Sequence, residues 1–515
     1  MAYVSRLRRL LLSASVTTGV SALLTSVSGP LAAAPGKGKG KPKPPPPPAS
    51  PWSPVYPWPD VAIHLHLLPN GKVLSFSDDD MHDGTRRADF SKAFVIDVPA
   101  GGAPATSWTY IPNTTTNMFC SGHTFLPDGR LMILGGHEGK DGFGSEDVNI
   151  LESNLDGSGQ WHYIWKATSP MTGGRWYPGA LGLADGSVVV VGGSETEAGI
   201  PNRLPQVWQT PLGGGWRNLT NAQLTVPLYM RMHLAPNGKV FASAPEQVSR
   251  YLDTAGTGLW SNGPTRVQGY RDYACSVMYD NGKVLVIGGG NPPTASAEII
   301  DLNAAVPTWQ FTGSMNYARR QHNATLLPDG TVLVTGGTSS PGFNDATNAV
   351  LAAELWNPVT GVWTKLESAQ VPRLYHSTTV LLPDGRVLSA GGGRPAPIAG
   401  VNNLNAEIYS PPYLFKGARP TITGVSATTV GYGQQFLVNT PDSSSIAKVS
   451  WVRLSSVSHG DNMNERINFL GFSASRGGVF VNAPLDRNLT PPGHYILFIL
   501  NSLGVPSVGR IIQIL

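Results

Sequence analysis

One pattern recurs seven times along the chain and limits what it can fold into. The segment HLHLLPNGKVLSFS closes its turn at Gly71. The same arrangement returns in HTFLPDGRLMILGG (Gly129), ALGLADGSVVVVGG (Gly186), MHLAPNGKVFASA (Gly238), SVMYDNGKVLVIGG (Gly282), ATLLPDGTVLVTGG (Gly330) and TTVLLPDGRVLSAGG (Gly385). Each copy is an apolar run, an Asp-Gly or Asn-Gly pair, and a second apolar run ending on small residues. Asp-Gly and Asn-Gly supply positive φ, so each copy predicts a hairpin with a two-residue turn. A hairpin repeated every ~50 residues predicts a kelch-type β-propeller. Seven copies predict seven blades over residues 55–415, closed on themselves so that sheet edges are protected. The composition agrees. With 60 Gly and 44 Pro among 515 residues and only 14% charged residues, the chain is poor in surface-helix material and rich in turns.

The repeat stops near Pro411. Residues 416–515 keep short apolar runs such as VSWVRL, GVFVNAP and HYILFIL between Gly, Pro and Asn, which predicts an immunoglobulin-like β-sandwich. The expected fold class is therefore all-β: a seven-bladed kelch-type propeller followed by a sandwich. At the other end, Arg6, Arg8 and Arg9 precede an apolar run to Leu31 and Ala32-Ala33-Ala34, the pattern of a secretory signal peptide over 1–34. Residues 35–54 read as a Lys/Gly/Pro-rich linker. An exported or cell-surface protein, a monomer, is expected. No later run is apolar for the length a membrane span needs. Sequons at Asn113, Asn218, Asn323 and Asn488 fit export.

Charge removes one class of function. Residues 1–43 carry seven basic side chains and no acid. Taking them from the net +4 leaves the rest of the chain at −3. A body of that charge is not basic, so a nucleic-acid reading loses its main support and no nucleic-acid partner is expected. Two cysteines, Cys120 and Cys275, cannot make a disulfide scaffold or an all-cysteine metal site.

The repeat also acts as a ruler. Nine residues before each turn glycine stand Ala62, Cys120, Tyr177, Tyr229, Tyr273, Gln321 and His376, with Tyr375 beside the last. The innermost strands of a propeller line its axis, so these positions should face one mouth of the channel. Cys120 and Tyr177 fall on consecutive blades and should be neighbours. Imidazole, phenolate and thiolate are ligands for copper or zinc. No carboxylate stands at these positions, which argues against a propeller glycosidase.

The motifs NMFCSG around Cys120, GRWYPG around Tyr177, RLYHSTTVLLPDGRV around Tyr375-His376 and PPGHYILFILNSLGVPSV near the C-terminus resemble the galactose oxidase and glyoxal oxidase family of copper radical oxidases. The resemblance runs from about residue 55 to the end. It implies a thioether between Cys120 and Tyr177 and one copper ion held by Tyr177, Tyr375, His376 and a histidine of the C-terminal domain, which SSVSHG puts at His459. It further implies that the Tyr177 radical abstracts hydrogen, that Tyr375 accepts the substrate proton, and that O2 leaves as H2O2. Oxidation of an alcohol or aldehyde takes two electrons, and a single copper carries one, which is why a second carrier is needed.

The pocket departs from galactose oxidase. Glu195 stands by register where that enzyme stacks a Trp on the thioether, and Met230 follows Leu228-Tyr229 where it has a sugar-binding Arg. A Pro-rich linker replaces its carbohydrate-binding domain. Small aldehydes or simple alcohols are expected instead of galactose, in a pocket lined by Glu195, Tyr229, Met230, Tyr273 and Gln321. Arg231 is expected to face solvent. Outside the site, His64 and His66 are expected in blade packing, Cys275 as a buried free thiol, and Asp78-Asp79-Asp80 with Asp83-Gly84 as a solvated turn. The competing expectation is a catalytically silent kelch-type surface or matrix protein that binds a carbohydrate or protein partner.

Overall fold

A computed structural model describes residues 50–78, 90–197, 199–393 and 402–515. The expected signal peptide, the linker up to residue 49, and Asp79, Asp80, Asp83 and Gly84 lie outside the described residues. Among the described residues, seven antiparallel sheets each begin with one of the repeated hairpins. Their innermost strands start at His64, Gly122, Gly179, Arg231, Cys275, Arg320 and Ser377. Blades 3 to 6 are each four consecutive strands, blade 2 is interrupted by a separate hairpin of 137–138 with 140–144, and the blade 1 sheet also takes in two short strands from residues 456–462. The seventh takes its outermost strand, Tyr56–Pro57, from the beginning of the propeller, pairing Tyr56 with Ala406 and Pro57 with Asn405. Trp52 reinforces this closure: it packs on Tyr409 with ring centroids 4.8 Å apart and donates from Nε1 to the Glu367 carbonyl at 2.9 Å. Pairing between the first and last strands of the propeller ties the two ends of the ring together in one sheet.

The turns differ from expectation. A two-residue type I′ turn needs positive φ at both central residues. Proline, with φ near −65°, forbids that, and five of the seven turns carry it: Pro69, Pro127, Pro236, Pro328 and Pro383. The hairpins instead close with three residues. In the first, Leu68 N–H donates to the Lys72 carbonyl and Gly71 N–H to the Leu68 carbonyl. That is a type I turn with Pro at its second position, followed by a left-handed glycine at φ 82°. The Asp or Asn before the glycine does a separate job. Its side chain accepts the N–H two residues on, as Asn70 does from Lys72 at 3.1 Å and Asp329 from Thr331 at 3.0 Å. Blade 5 has Asp280 in place of the proline and pairs it directly with Lys283 across Asn281-Gly282.

These turns also seat the second domain. Its sheets run 424–425, 435–439, 478–482, 472–475 and 429–430, 510–514, 493–501, 446–453, 467–469. Between them lie Trp451, Tyr495, Phe436 and Ile499. The carbonyls of the turn prolines accept bonds from it: Pro127 from Gln513 (2.9 Å), Pro236 from Asn488 (3.0 Å) and Pro328 from Ser450 (2.6 Å).

A second regularity lies inside the blades. Arg175, Arg271, Arg319 and Arg373 are buried and donate to carbonyls of the strands beside them, such as Gly192, Ser296, Gly336 and Gly391. Three of these arginines are paired with buried glutamates: Arg271 with Glu298, Arg319 with Glu354 and Arg373 with Glu407. Two of the four sequons are buried, Asn113 and Asn323, so those side chains are not available to a glycosylating enzyme once the chain has folded.

Two outcomes follow from these contacts. Glu354→Ala strands the fully buried Arg319 guanidinium, and loss of one partner of such a pair costs about 3–5 kcal/mol. Thermal denaturation should show a clear fall in midpoint, and an unchanged midpoint would refute the role. Glu465 accepts from Leu326 N–H at 2.9 Å and from the Ser455 hydroxyl at 3.0 Å, and burial pushes its carboxyl from 4.5 up to about 7. The folded state therefore holds a proton that the unfolded state gives up. The stability Glu465 contributes is complete below about pH 4.5 and is lost as pH rises through about 7. Glu465→Gln should flatten the slope of the thermal midpoint across that window.

Candidate metal centre

The positions picked out by the nine-residue ruler share one backbone state. Cys120, Tyr177, Tyr229, Tyr273, Gln321 and His376 all have positive φ, between 44° and 66°, and Ala62 is the exception. A left-handed non-glycine residue costs of order 1–3 kcal/mol and persists only where its surroundings impose it. Here neighbouring blades impose it on one another. Tyr177 N–H donates to the Cys120 carbonyl and Tyr229 N–H to the Tyr177 carbonyl, each at 2.9 Å. In five of these six the kink lies just before the innermost strand; Gln321 is inside its own, Arg320–Leu326.

The remaining residue comes from the second domain. A hairpin, Ser456–Ser458 with Asp461–Asn462, leaves the sandwich and pairs with the innermost strand of blade 1. Ser458 lies opposite His64, and Ser456 opposite His66. His459, at the hairpin tip with φ 53°, is thereby buried at the channel mouth among the blades. Its ring lies 4.7 Å from Tyr177, 4.8 Å from Tyr229, 5.2 Å from Tyr375 and 4.5 Å from His376, almost perpendicular to the last at 89°.

Hydrogen bonds set how these rings face. His376 Nδ1 donates to the Gly393 carbonyl at 2.9 Å, which leaves the lone pair on Nε2. His459 Nδ1 is held by the Ser458 hydroxyl, and its Nε2 lies 3.9 Å from Cys120 Sγ. Ligand atoms of Cys120, His376 and His459 all fall within 4.8 Å of one another. The Tyr177 and Tyr375 hydroxyls are in direct contact. Burial, and then the neighbouring Cys120 and Tyr375, push the Tyr177 phenol well above its ordinary range, so a cation is needed to ionise it. Two imidazole nitrogens and two phenol oxygens on converging rings make a donor set suited to Cu(II).

Beside these rings opens a cavity of about 200 Å³, lined among others by Tyr177, Tyr229, Arg231, Asp272, Tyr273 and His459. Tyr229 and Tyr273, two of the expected lining residues, are therefore there. Gln321 is not. Its Oε1 accepts from Asn344 N–H at 3.1 Å in blade 6. Met230 is also turned away, into the apolar core between blades 3 and 4 with Met232 and Val191, because alternate residues of a strand face opposite ways. Glu195 lies against Gly173 and outside the cavity lining.

Arg231 does not face solvent. It is 6% exposed and donates to the Tyr229, Ala274 and His459 carbonyls, with Asp461 at 3.6 Å. Asp78 is likewise buried, accepting from Asn117 at 3.1 Å, and is no part of a solvated turn. Cys275 is the buried free thiol expected: it donates to the His322 carbonyl at 3.1 Å, and burial raises its pKa to about 12.

One residue was missed. Trp176 stacks on Tyr177 with centroids 3.8 Å apart and planes at 22°. Its signal was adjacency: in GRWYPG a left-handed Tyr177 folds its ring back over its neighbour.

Comparison with known proteins agrees with this geometry. The family model for the glyoxal oxidase N-terminus matches residues 291–413, and that for the galactose oxidase-like early set domain matches 419–514. An aldehyde oxidase of Vitis pseudoreticulata is 30% identical over 443 residues, covering 78% of this chain and 82% of that protein. A galactose oxidase of Gibberella zeae is 29% identical over 436 residues, and the chain spans 61% of its length. A fungal alcohol oxidase of the AA5 family, solved in complex with copper, superposes with a TM-score of 0.80 at 27% identity, covering 90% of this chain and 99% of that one. On this site and these relatives, the chain belongs to the galactose oxidase and glyoxal oxidase family of copper radical oxidases.

Proposed function

We propose that the protein is a secreted, monomeric copper radical oxidase that converts a primary alcohol to the aldehyde, or a small hydrated aldehyde to the acid, and reduces O2 to H2O2. The observation that carries the reading is the convergence of Tyr177, Tyr375, His376 and His459 on one point with the Cys120 thiol beside them. In this reading residues 1–34 are the export signal and 35–54 the linker, ahead of the propeller (55–415) and the sandwich (416–515).

His376 and His459 would hold copper through Nε2, and Tyr177 and Tyr375 through their phenol oxygens. Copper, when bound, supplies a one-electron couple and a position for the substrate oxygen. Tyr375 Oη would accept the substrate hydroxyl proton. Tyr177, joined through a thioether to Cys120, would be the second one-electron carrier, with Trp176 covering its face from water. Tyr229 and Tyr273 would orient the substrate carbon. A cavity of about 200 Å³ lies below the ~300–1,000 Å³ of sites for drug-sized ligands. That supports small alcohols and aldehydes.

Copper loading in air followed by intact-mass measurement tests the reading. Formation of the thioether removes two hydrogens, and Cys120→Ala should abolish that loss. An unmodified wild type that yields no peroxide from glyoxal, methylglyoxal, glycerol or galactose would leave the silent binding protein as the answer. Ser458→Ala removes the partner of His459 Nδ1. Loss of such an outer partner typically lowers metal affinity 10–100-fold, so competition titration with Cu(II) should show that drop while the metal-free thermal midpoint stays close to wild type.

A further inference from the structure

Below the metal centre, on the inner strands of blades 1 and 2, lie three fully buried histidines that the proposed chemistry does not use. Their hydrogen bonds can be followed atom by atom. Cys120 N–H donates to His64 Nε2 at 3.1 Å. His64 Nε2 is thus an acceptor, and the ring proton sits on Nδ1, which lies 3.1 Å from His123 Nε2 and donates to it. His123 in turn carries its proton on Nδ1 and donates to Ser456 Oγ at 2.7 Å. The Ser456 hydroxyl has His66 Nδ1 at 3.0 Å. Phe76 holds the plane of the first ring, stacked on His64 at 4.3 Å and 9°. Burial keeps the middle ring neutral, with His123 lowered to about 3.

The direction of every bond is set by its first donor. That donor is a backbone amide, which has no proton to pass on, so the chain cannot serve as a proton wire from the metal centre. What it joins is informative. Cys120, at one end, is the left-handed residue whose thiol faces Tyr177 and His459. Ser456, at the other, stands three residues before His459 on the hairpin that enters the channel.

We propose that His64, His123 and Ser456 form a one-directional positioning chain. It fixes the left-handed backbone of Cys120 and the base of the His459 hairpin in a single register. His64 and His123 are positioning residues here and touch neither substrate nor metal. This rests on the oxidase reading only for its consequence, the ease with which Cys120 and Tyr177 are joined. That step removes the Sγ hydrogen and one ring hydrogen as two protons and two electrons, with O2 as oxidant in the presence of copper and H2O2 as its product.

The test uses the full-length protein labelled with 15N-cysteine, which gives two amide signals, Cys120 and Cys275. In copper-free His64→Phe the Cys120 amide should exchange with solvent at least a hundredfold faster, while the Cys275 amide, in the first strand of blade 5, changes less than threefold. After Cu(II) and air, the two-hydrogen mass loss should form at least tenfold more slowly. His64→Gln offers an amide oxygen to the same N–H and should bring both readouts back toward wild type. Unchanged Cys120 exchange in His64→Phe overturns the proposal. So does an equal rise at both amides, which would mean general destabilisation. If the Cys120 amide responds as expected but wild type never forms the cross-link, the positioning chain is supported and the oxidase reading fails.

Discussion

The site depends on one strand pairing. A hairpin of the C-terminal domain adds to the innermost strand of blade 1, and only by that pairing does His459 reach the axis of the propeller. Every other residue of the centre belongs to the propeller, and their convergence follows from the symmetry of the blades. The hairpin breaks that symmetry. Ladder bonds hold it to blade 1, Glu465 ties its return to blade 6, and Arg231 of blade 4 grips the His459 carbonyl. A side chain carried at the tip of so short a hairpin is well placed because three blades fix it from different sides.

The propeller supplies the other half of the constraint. Among the described residues the propeller holds seven non-glycine residues in left-handed conformation, the six at the ruler positions and Asn344, and such backbone persists only where its surroundings impose it. Amide-to-carbonyl links do that from Cys120 to Tyr177 to Tyr229, and in four blades a buried arginine ties the segment before the first strand to carbonyls further along the same blade. Closure of the last blade by Tyr56–Pro57 keeps the ring from opening. Rigidity matters to a centre of this kind because two ring systems, two imidazoles and a thiol must stay within van der Waals distance before any metal or cross-link helps them.

Much of this was legible in the residues. Seven turns at regular spacing gave the blade count, and counting back from each glycine reached Cys120, Tyr177, Tyr229, Tyr273 and His376 because a repeat preserves register. The details that failed did so for physical reasons. Turn type went wrong because the Asp-Gly signal was weighed without the proline before it, whose φ excludes a type I′ turn. Met230 and Arg231 were exchanged in role because a strand reverses facing at each residue, and a kink before the strand hides which parity points inward. Gln321 shares the left-handed backbone but spends its amide on Asn344. Trp176 sat in plain view in GRWYPG, yet only the folded ring geometry puts it over Tyr177.

Sequence alone determined the architecture and the stock of chemical groups, since turn chemistry, periodic apolar runs and a shared register are local properties that repeat. Tertiary structure decided which groups meet. The pairing of Ser456 with His66 and of Ser458 with His64 spans nearly four hundred residues, and no local preference encodes it. It exists because the propeller leaves the inner edge of its first blade open at the axis, and a hairpin with unpaired backbone groups satisfies that edge. The same pairing carries His459 in among the rings of Tyr177, Tyr229, Tyr375 and His376, while the packing of blade 1 beside blade 2 makes His64, expected in blade packing, the partner of the Cys120 amide.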